Sequence, residues 1–289
     1  VVLKPKKFDF AQAKALAAKA MKNPNLEAVI LGAQGAGKSY ALGTLGVKTL
    51  HIYGTRESHG PRTAAAGVGG DNIVPFCIDY GIWPGESVER QFSADESFEL
   101  LEAVLRDTDE LRAAGYGALV CDGLAVLEAI VKETSAWKKK CLTAAGKHNT
   151  YKETEATQDL LGQVISWMKQ ACRELDMHLV VTGILDVKDT GVYGEITEAS
   201  PRLGGYGLAE TMNQHFGDVL VVGKMTRDGV RKWKFQFLTE LTKVAKDENG
   251  GQKRAMNFNP RLSGYAVPEY FDADFAKLAA YKKEKASGK

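Results

Sequence analysis

The sequence predicts an α/β fold: a mostly parallel sheet flanked by helices on both faces, with a late antiparallel hairpin. Three observations predict it. Short apolar runs alternate with helix-like stretches along most of the chain, the pattern of strands joined by crossover helices. One of these runs breaks into the glycine-rich stretch "GAQGAGKS" just before a helix. Late in the chain, "DVLVVGKM" and "VRKWKFQFLTE" flank "TRDG", which reads as two strands joined by a turn.

The elements follow in order. Residues 9–22, "DFAQAKALAAKAMK", are alanine-rich with spaced apolar positions and predict a helix that Asn23-Pro24-Asn25 stops. "EAVIL" (27–31) predicts a strand and "SYALGTLG" (39–46) a helix ending near Gly46. "TLHIYG" (49–54) and "IVPFCIDY" (73–80) predict strands separated by a glycine-rich loop at 60–70. Over 97–113 the positions of Phe98, Leu101, Val104 and Leu105 predict one amphipathic helix. "GALVCDG" (117–123) predicts a strand, 154–175 a long helix and "HLVVTGIL" (178–185) another strand. The tail "FAKLAAYKKEKASGK" reads as a short helix fraying into a solvated basic end. No repeat occurs at solenoid periods. The expected division is an N-terminal helical arm (1–26), a core (27–240) and a C-terminal extension with a basic tail (241–289).

A chain of 289 residues has room for one large domain or two small ones. With 44% hydrophobic and 26% charged residues it has the composition of an ordinary globular protein. A net charge of +2 confines any nucleic-acid surface to a local patch. Cys77, Cys121, Cys141 and Cys172 lie far apart with no CxxC spacing, against a zinc site or a disulfide framework. No apolar run approaches about 18 residues and no charged-then-apolar leader pattern appears. The expectation is a cytoplasmic protein with no membrane partner.

Gly32, four intervening residues and then Gly37-Lys38-Ser39 satisfy G-x-x-x-x-G-K-[ST]. Gly32, Gly35 and Gly37 let the backbone turn its N–H groups inward around phosphate oxygens. Lys38 supplies a charge for the β- and γ-phosphates, and the Ser39 hydroxyl reaches Mg²⁺. The nucleotide cradle is therefore expected over Gly32, Ala33, Gln34, Gly35, Ala36, Gly37, Lys38, Ser39 and Tyr40, with ATP and Mg²⁺ bound. "ALVCD" ends an apolar strand on Asp122, the position of a second Mg²⁺-holding carboxylate; a helix N-cap is the competing reading. Gly123 follows where many phosphate-loop ATPases carry a glutamate base. Glu57, just past the strand that follows the phosphate-loop helix, is then the candidate base, or else an exposed loop carboxylate. His59 beside it reads as a solvated loop residue.

The order of "GAQGAGKS", "TLHIYGTRE", "GALVCDGLAVLE", "HLVVTGIL" and "GLAETMNQHFGDVLVVGK" resembles the RecA-like P-loop core, specifically the phage-encoded RecA-like ATPases that partner single-strand annealing. The resemblance covers about residues 27–240 by order of elements, and only the phosphate loop is specific as a motif. It implies a DNA-binding, recombination-type ATPase acting on single-stranded DNA, located in the host cytoplasm if phage-encoded. Single-strand-binding or annealing proteins are implied partners, and a ring or filament of identical subunits the implied assembly.

In such proteins two loops bind single-stranded DNA, here placed at 135–153 and 186–206. The first carries Lys138, Lys139, Lys140, Lys147 and Lys152, framed by Trp137 and Tyr151. Lysines for phosphates and aromatics for bases suit single strands; a solvated basic face with two core aromatics is the alternative. The second is acidic, with Asp186, Asp189, Glu195 and Glu198 against Lys188 and Arg202, and reads equally as a β-hairpin lid. Tyr193, Arg202 and Tyr206 could stack on bases there. Ile184 stands where relatives often place a polar sensor, leaving Thr182 as the nearby polar group. Lys246, Lys253 and Arg254 are candidate cations acting on a neighbour's site, or else turn charges. Taken together, the residues predict a Mg²⁺-dependent ATPase with Glu57, Lys38 and Asp122 catalytic. An ATP-binding assembly protein with weak hydrolysis is the alternative, and a small-molecule kinase lacks a lid arginine cluster.

Overall fold

A computed structural model describes residues 25–55, 59–67, 72–79, 91–190, 196–204, 215–227, 230–237, 245–246, 252–253 and 270–287. The helix expected at 9–22 lies outside these residues.

The strands are β1 (Glu27–Gly32), β2 (Thr49–Tyr53), β3 (Ile73–Cys77), β4 (Ala118–Asp122), β5 (His178–Thr190), β6 (Ile196–Pro201), β7 (Asp218–Arg227), β8 (Val230–Phe237), β9 (Ala245–Lys246), β10 (Gln252–Lys253) and β11 (Tyr270–Asp272). The helices are α1 (Lys38–Leu42), α2 (Gly60–Ala65), α3 (Ala94–Arg106), α4 (Thr108–Ala114), α5 (Leu124–Glu133), α6 (Ser135–Lys140), α7 (Tyr151–Leu175) and α8 (Phe275–Ala286).

The main sheet runs β11-β8-β7-β1-β5-β4-β2-β3. From β7 to β3 the six strands are parallel. Antiparallel β8 and β11 extend the β7 edge, so the expected α/β sheet with its late hairpin is the observed fold. Val230 faces Arg227 across the two-residue Asp228-Gly229 connection, the spacing that a tight hairpin turn needs.

Both faces of the parallel strands are covered, which explains their near-continuous apolar character. Val29, Leu31, Leu50, Ile52, Leu119, Cys121, Leu179 and Val181 face α3, α5 and α7. Ala28, Ile30, Val120, Val180, Leu220 and Val222 face the opposite layer, which contributes Ala41, Leu42, Ala64, Phe275 and Leu278. At the start of β1, Glu27 accepts both the Nε and an Nη of Arg173 from α7. Burial pushes the Glu27 carboxyl up, but Arg173 and Lys169 outweigh it and hold it below its ordinary value.

Four expectations change. The single helix over 97–113 is two, because the Asp107 side chain takes the Glu110 N–H at 3.0 Å and caps a new helix there. The loop at 60–70 begins instead with α2, where Pro61 occupies the first turn and its missing N–H costs nothing. The stretch 135–153 is not one loop: α6 takes its first part, and a tight turn closed by Thr143 N–H on the Lys147 carbonyl leads into α7. Thr134 caps α6 through its hydroxyl.

The tail is not a solvated end. Phe275 and Leu278 of α8 are buried against the α1 layer, and the Phe275 N–H donates to Thr44 Oγ1 at 2.7 Å. Lys282 reaches beneath the sheet to Asp218 at 2.8 Å and to the Asn25 carbonyl at 3.0 Å. Asp218 is buried, which raises its pKa; the Lys282 ammonium opposes that shift. Removing one member of a buried pair strands the other's charge. Lys282→Met should therefore cost about 3–5 kcal/mol in denaturant unfolding. The double change Asp218→Asn with Lys282→Met should recover most of that loss, and equal instability of the two variants would show that the pair does not anchor α8.

Candidate functional site

The site is built at the C-terminal edge of β1, β5, β4 and β2, on the face that carries α1. β1 delivers a fully buried apolar run to Gly32, after which residues 33–35 are exposed. Gly35 and Gly37 take φ of +73° and +89°, the left-handed region that a side chain disfavours. Gly32 has no room for a Cβ because Val222 of β7 lies against it. The Ala36 N–H turns back to the Ala33 carbonyl at 3.0 Å, and the Ala41 N–H to Gly37 opens α1. Lys38 Nζ donates to the Gly32 carbonyl at 2.8 Å and to Ala33 at 3.0 Å, so its ammonium lies across the mouth of the loop. Gln34 and Tyr40 are exposed at the rim.

Asp122 is the last residue of β4 and only 3% exposed. Ser39 donates to its Oδ2 at 3.2 Å and Thr182 of β5 to its Oδ1 at 2.6 Å. His51 of β2 places Nε2 3.4 Å from Oδ2. The N-cap reading falls: Gly123 is the N-cap of α5, and no side chain caps that helix. Burial pushes the Asp122 carboxyl up, but His51, Thr182 and Ser39 outweigh it and keep it below its ordinary value, hence ionised. An ionised carboxylate oxygen beside a hydroxyl is a hard-oxygen pair that fits Mg²⁺, which binds through one or two carboxylates and phosphate oxygens. Among the described residues no cluster of three or more His, Cys, Asp or Glu could hold a metal alone.

The structure brings Lys38, Ser39 and Asp122 together. Glu57 lies outside the described residues, but Thr55 before it is fixed: its N–H and hydroxyl both reach Asp79 Oδ2, at 2.6 and 2.7 Å. Gly123 backs onto Thr182, whose Oγ1 sits 3.0 Å from where a Cβ would stand. Ile184 is half-buried on β5 in register with Gly32, and its carbonyl accepts the Arg202 N–H at 2.7 Å.

The stretch 186–206 forms, over its described part, the antiparallel pair β5–β6. Gly204 at its foot donates to Glu128 Oε1 at 2.8 Å, and Glu128 in turn pairs with Lys132. Tyr193 and Tyr206 lie outside the described residues, and the Arg202 side chain is exposed.

The basic stretch lies on α6 and the turn behind it. Lys138 pairs with Glu133 at 3.1 Å and Lys140 with Asp159 at 2.8 Å, while Lys139 and Lys147 are exposed. The Trp137 indole N–H is spent on Thr157 Oγ1 at 2.9 Å, which turns the ring toward α7. Tyr151 is 93% exposed. Lys246 and Lys253 lie on the short β9–β10 ladder, and Arg254 falls outside the described residues.

Sequence reading missed three groups around Asp122 and Thr55. His51 was visible as the middle of an alternation, with Thr49, His51 and Tyr53 polar between Leu50 and Ile52. Asp79 and Gly60 gave no signal: each matters only through a neighbour distant in sequence. Gly60 opens α2 directly over Asp122, and a Cβ there would overlap the carboxylate.

No protein-family model matches the chain, and no curated protein matches it. Among solved structures, a KaiC-like protein from the hyperthermophilic archaeon Pyrococcus horikoshii is similar, with a TM-score of 0.38 and 12% identity, over 73% of this chain and 78% of that one. The fold assignment rests on the strand order above and not on that likeness. No helix among the described residues is long and apolar enough to cross a membrane.

Thr182 supplies the shortest hydrogen bond to Asp122. Thr182→Val keeps the shape and leaves a buried carboxylate oxygen without its donor, which should cost about 1–3 kcal/mol in chemical denaturation. Thr182→Ser should restore most of it. Equal stability of the Val variant and the wild type would show that the hydroxyl does not support the carboxylate.

Proposed function

We propose that the chain is a RecA-like, Mg²⁺-dependent ATPase that binds single-stranded DNA and promotes annealing or strand exchange in phage-type recombination or replication. The observation that carries the ATPase part is the convergence of Lys38, Ser39 and an ionised, buried Asp122 at the mouth of a glycine-turned loop. Loop amides and Lys38 hold the β- and γ-phosphates. Mg²⁺, when bound, neutralises charge on the phosphate oxygens, and Ser39 and Asp122 are the residues that would hold it.

In hydrolysis, water attacks the γ-phosphorus in line, the bond to the β–γ bridging oxygen breaks, and ADP and phosphate leave. Glu57 orients that water and takes its proton. In its support, the chain just before Glu57 is fixed by the grip of Asp79 on Thr55.

The exposed lysines of α6 and its turn, with Tyr151 beside them, favour a single-stranded nucleic acid over a duplex, because phosphates and bases are contacted together. Trp137 and Arg202 flank that reading less directly. Lys246, Lys253 and Arg254 are the cations offered to a neighbouring subunit's phosphates in a ring or filament.

A second reading takes ATP as an assembly signal for a protein that works through an annealing or single-strand-binding partner. It is favoured by Gly123 after Asp122 and by Ile184 on β5 in register with Gly32, neither of which can move a proton.

ATP turnover should rise on adding single-stranded DNA and fall at least about 100-fold in Lys38→Ala, the scale of losing one charge-stabilising group. The triple change of Lys138, Lys139 and Lys140 to Ala should weaken DNA binding and flatten its salt dependence. Turnover indifferent to DNA, with ATP still bound, would favour the assembly reading.

A further inference from the structure

His51 is fully buried on the middle of β2, and neither ring nitrogen has a hydrogen-bond partner among the described residues. Its own strand neighbours on this face are Thr49 and Tyr53, and the Tyr53 ring stands edge-on at 6.3 Å. Across the pairing, Val120 is its register partner on β4. The polar group it approaches is Asp122 Oδ2, at 3.4 Å from Nε2. An interior position of a parallel sheet is ordinarily filled by an apolar β-branched residue. Burying an imidazole with both nitrogens unsatisfied is costly, and such a group calls for an explanation.

The geometry points to one: we infer that His51 is a positioning residue for Asp122, its Nε2–H directed at Oδ2 from behind so that the carboxylate faces Ser39 and a divalent cation. The inference rests on the nucleotide-site reading above and deepens it. Each Asp122 oxygen has its own contacts. Thr182 fixes Oδ1, and Ser39 approaches Oδ2 from the side of the phosphate loop. The contact to Oδ2 from the neighbouring strand β2 is the imidazole. Gly60 covers the carboxylate from α2 and leaves no space for it to swing that way. With His51 in place both oxygens are held from the protein side; without it, Oδ2 keeps only the longer contact from Ser39, the hydroxyl that a cation would also engage. Groups that orient a metal ligand in this manner are worth about 10- to 100-fold in metal affinity when removed. The nitrogen facing Oδ2 is Nε2, so reach along the side chain decides the outcome.

The test compares His51→Gln, whose amide nitrogen reaches the Nε2 position, with His51→Asn, whose amide nitrogen stops at the Nδ1 position, and with His51→Leu, which carries no donor. Mg²⁺ is titrated against the full chain at fixed fluorescent ATP analogue, with bound nucleotide as the readout and thermal unfolding recorded in parallel. Wild type and His51→Gln should reach half-saturation at similar Mg²⁺, and His51→Asn should need at least about 10-fold more. His51→Leu, where it folds, should match Asn. Equal Mg²⁺ requirement in the Gln and Asn variants, or a requirement in Asn equal to that of wild type, overturns the inference. A wild type whose nucleotide binding ignores Mg²⁺ overturns instead the metal-site reading on which it stands.

Discussion

The interaction on which the rest depends is the hold of two neighbouring strands and one helix on the Asp122 carboxylate at the end of β4. β5 lies between β1 and β4, so the phosphate loop and Asp122 sit two strand spacings apart, about 10 Å. Ser39 closes that gap from the first turn of α1, and Thr182 fills the floor beneath it from the intervening strand. Both hydroxyls donate to the carboxylate and so favour its charged form against the penalty of burial. A cation placed there needs oxygen donors already aimed at it, and the strand order aims them.

The layers around the sheet serve the same constraint. α1 is only five residues long and continues as one tight turn at Gly43–Leu45, too short to be stable alone. It is held from below by the apolar face of β1 and β7 and from its far end by α8, through Phe275 and the hydrogen bond to Thr44. The last helix of the chain thus braces the first helix of the site. On the other face, α5 leaves directly from Gly123 and ties through Glu128 to the foot of the β5–β6 pair. α5 thus ties the carboxyl end of β4 to the foot of the β5–β6 pair.

Much of this was legible in the sequence, for identifiable reasons. The glycine loop is read from spacing because each glycine has a local job, and strands buried on both faces announce themselves as apolar runs. The hairpin at 228–229 is legible because Asp-Gly between two strand-like runs suits few other geometries. What escaped depends on partners far away along the chain. Asp107 looks like one polar position of an amphipathic helix, and only its capping bond splits the helix in two. The tail looks solvated because lysines crowd its last turns, yet Lys282 has a buried mate in Asp218. Thr134-Ser135 is a usable N-cap signal that the run of lysines concealed, so a helix was read as a loop.

The central claim is that the loop at Gly32–Ser39, with Asp122, is built for a polyphosphate. Calorimetric titration of the full chain with ATP and with AMP, both in Mg²⁺, tests it most directly. The geometry predicts one ATP per chain and no measurable AMP binding, because the loop and Lys38 grip the β- and γ-phosphates that AMP lacks. Absence of ATP binding, or AMP bound as tightly as ATP, would contradict it.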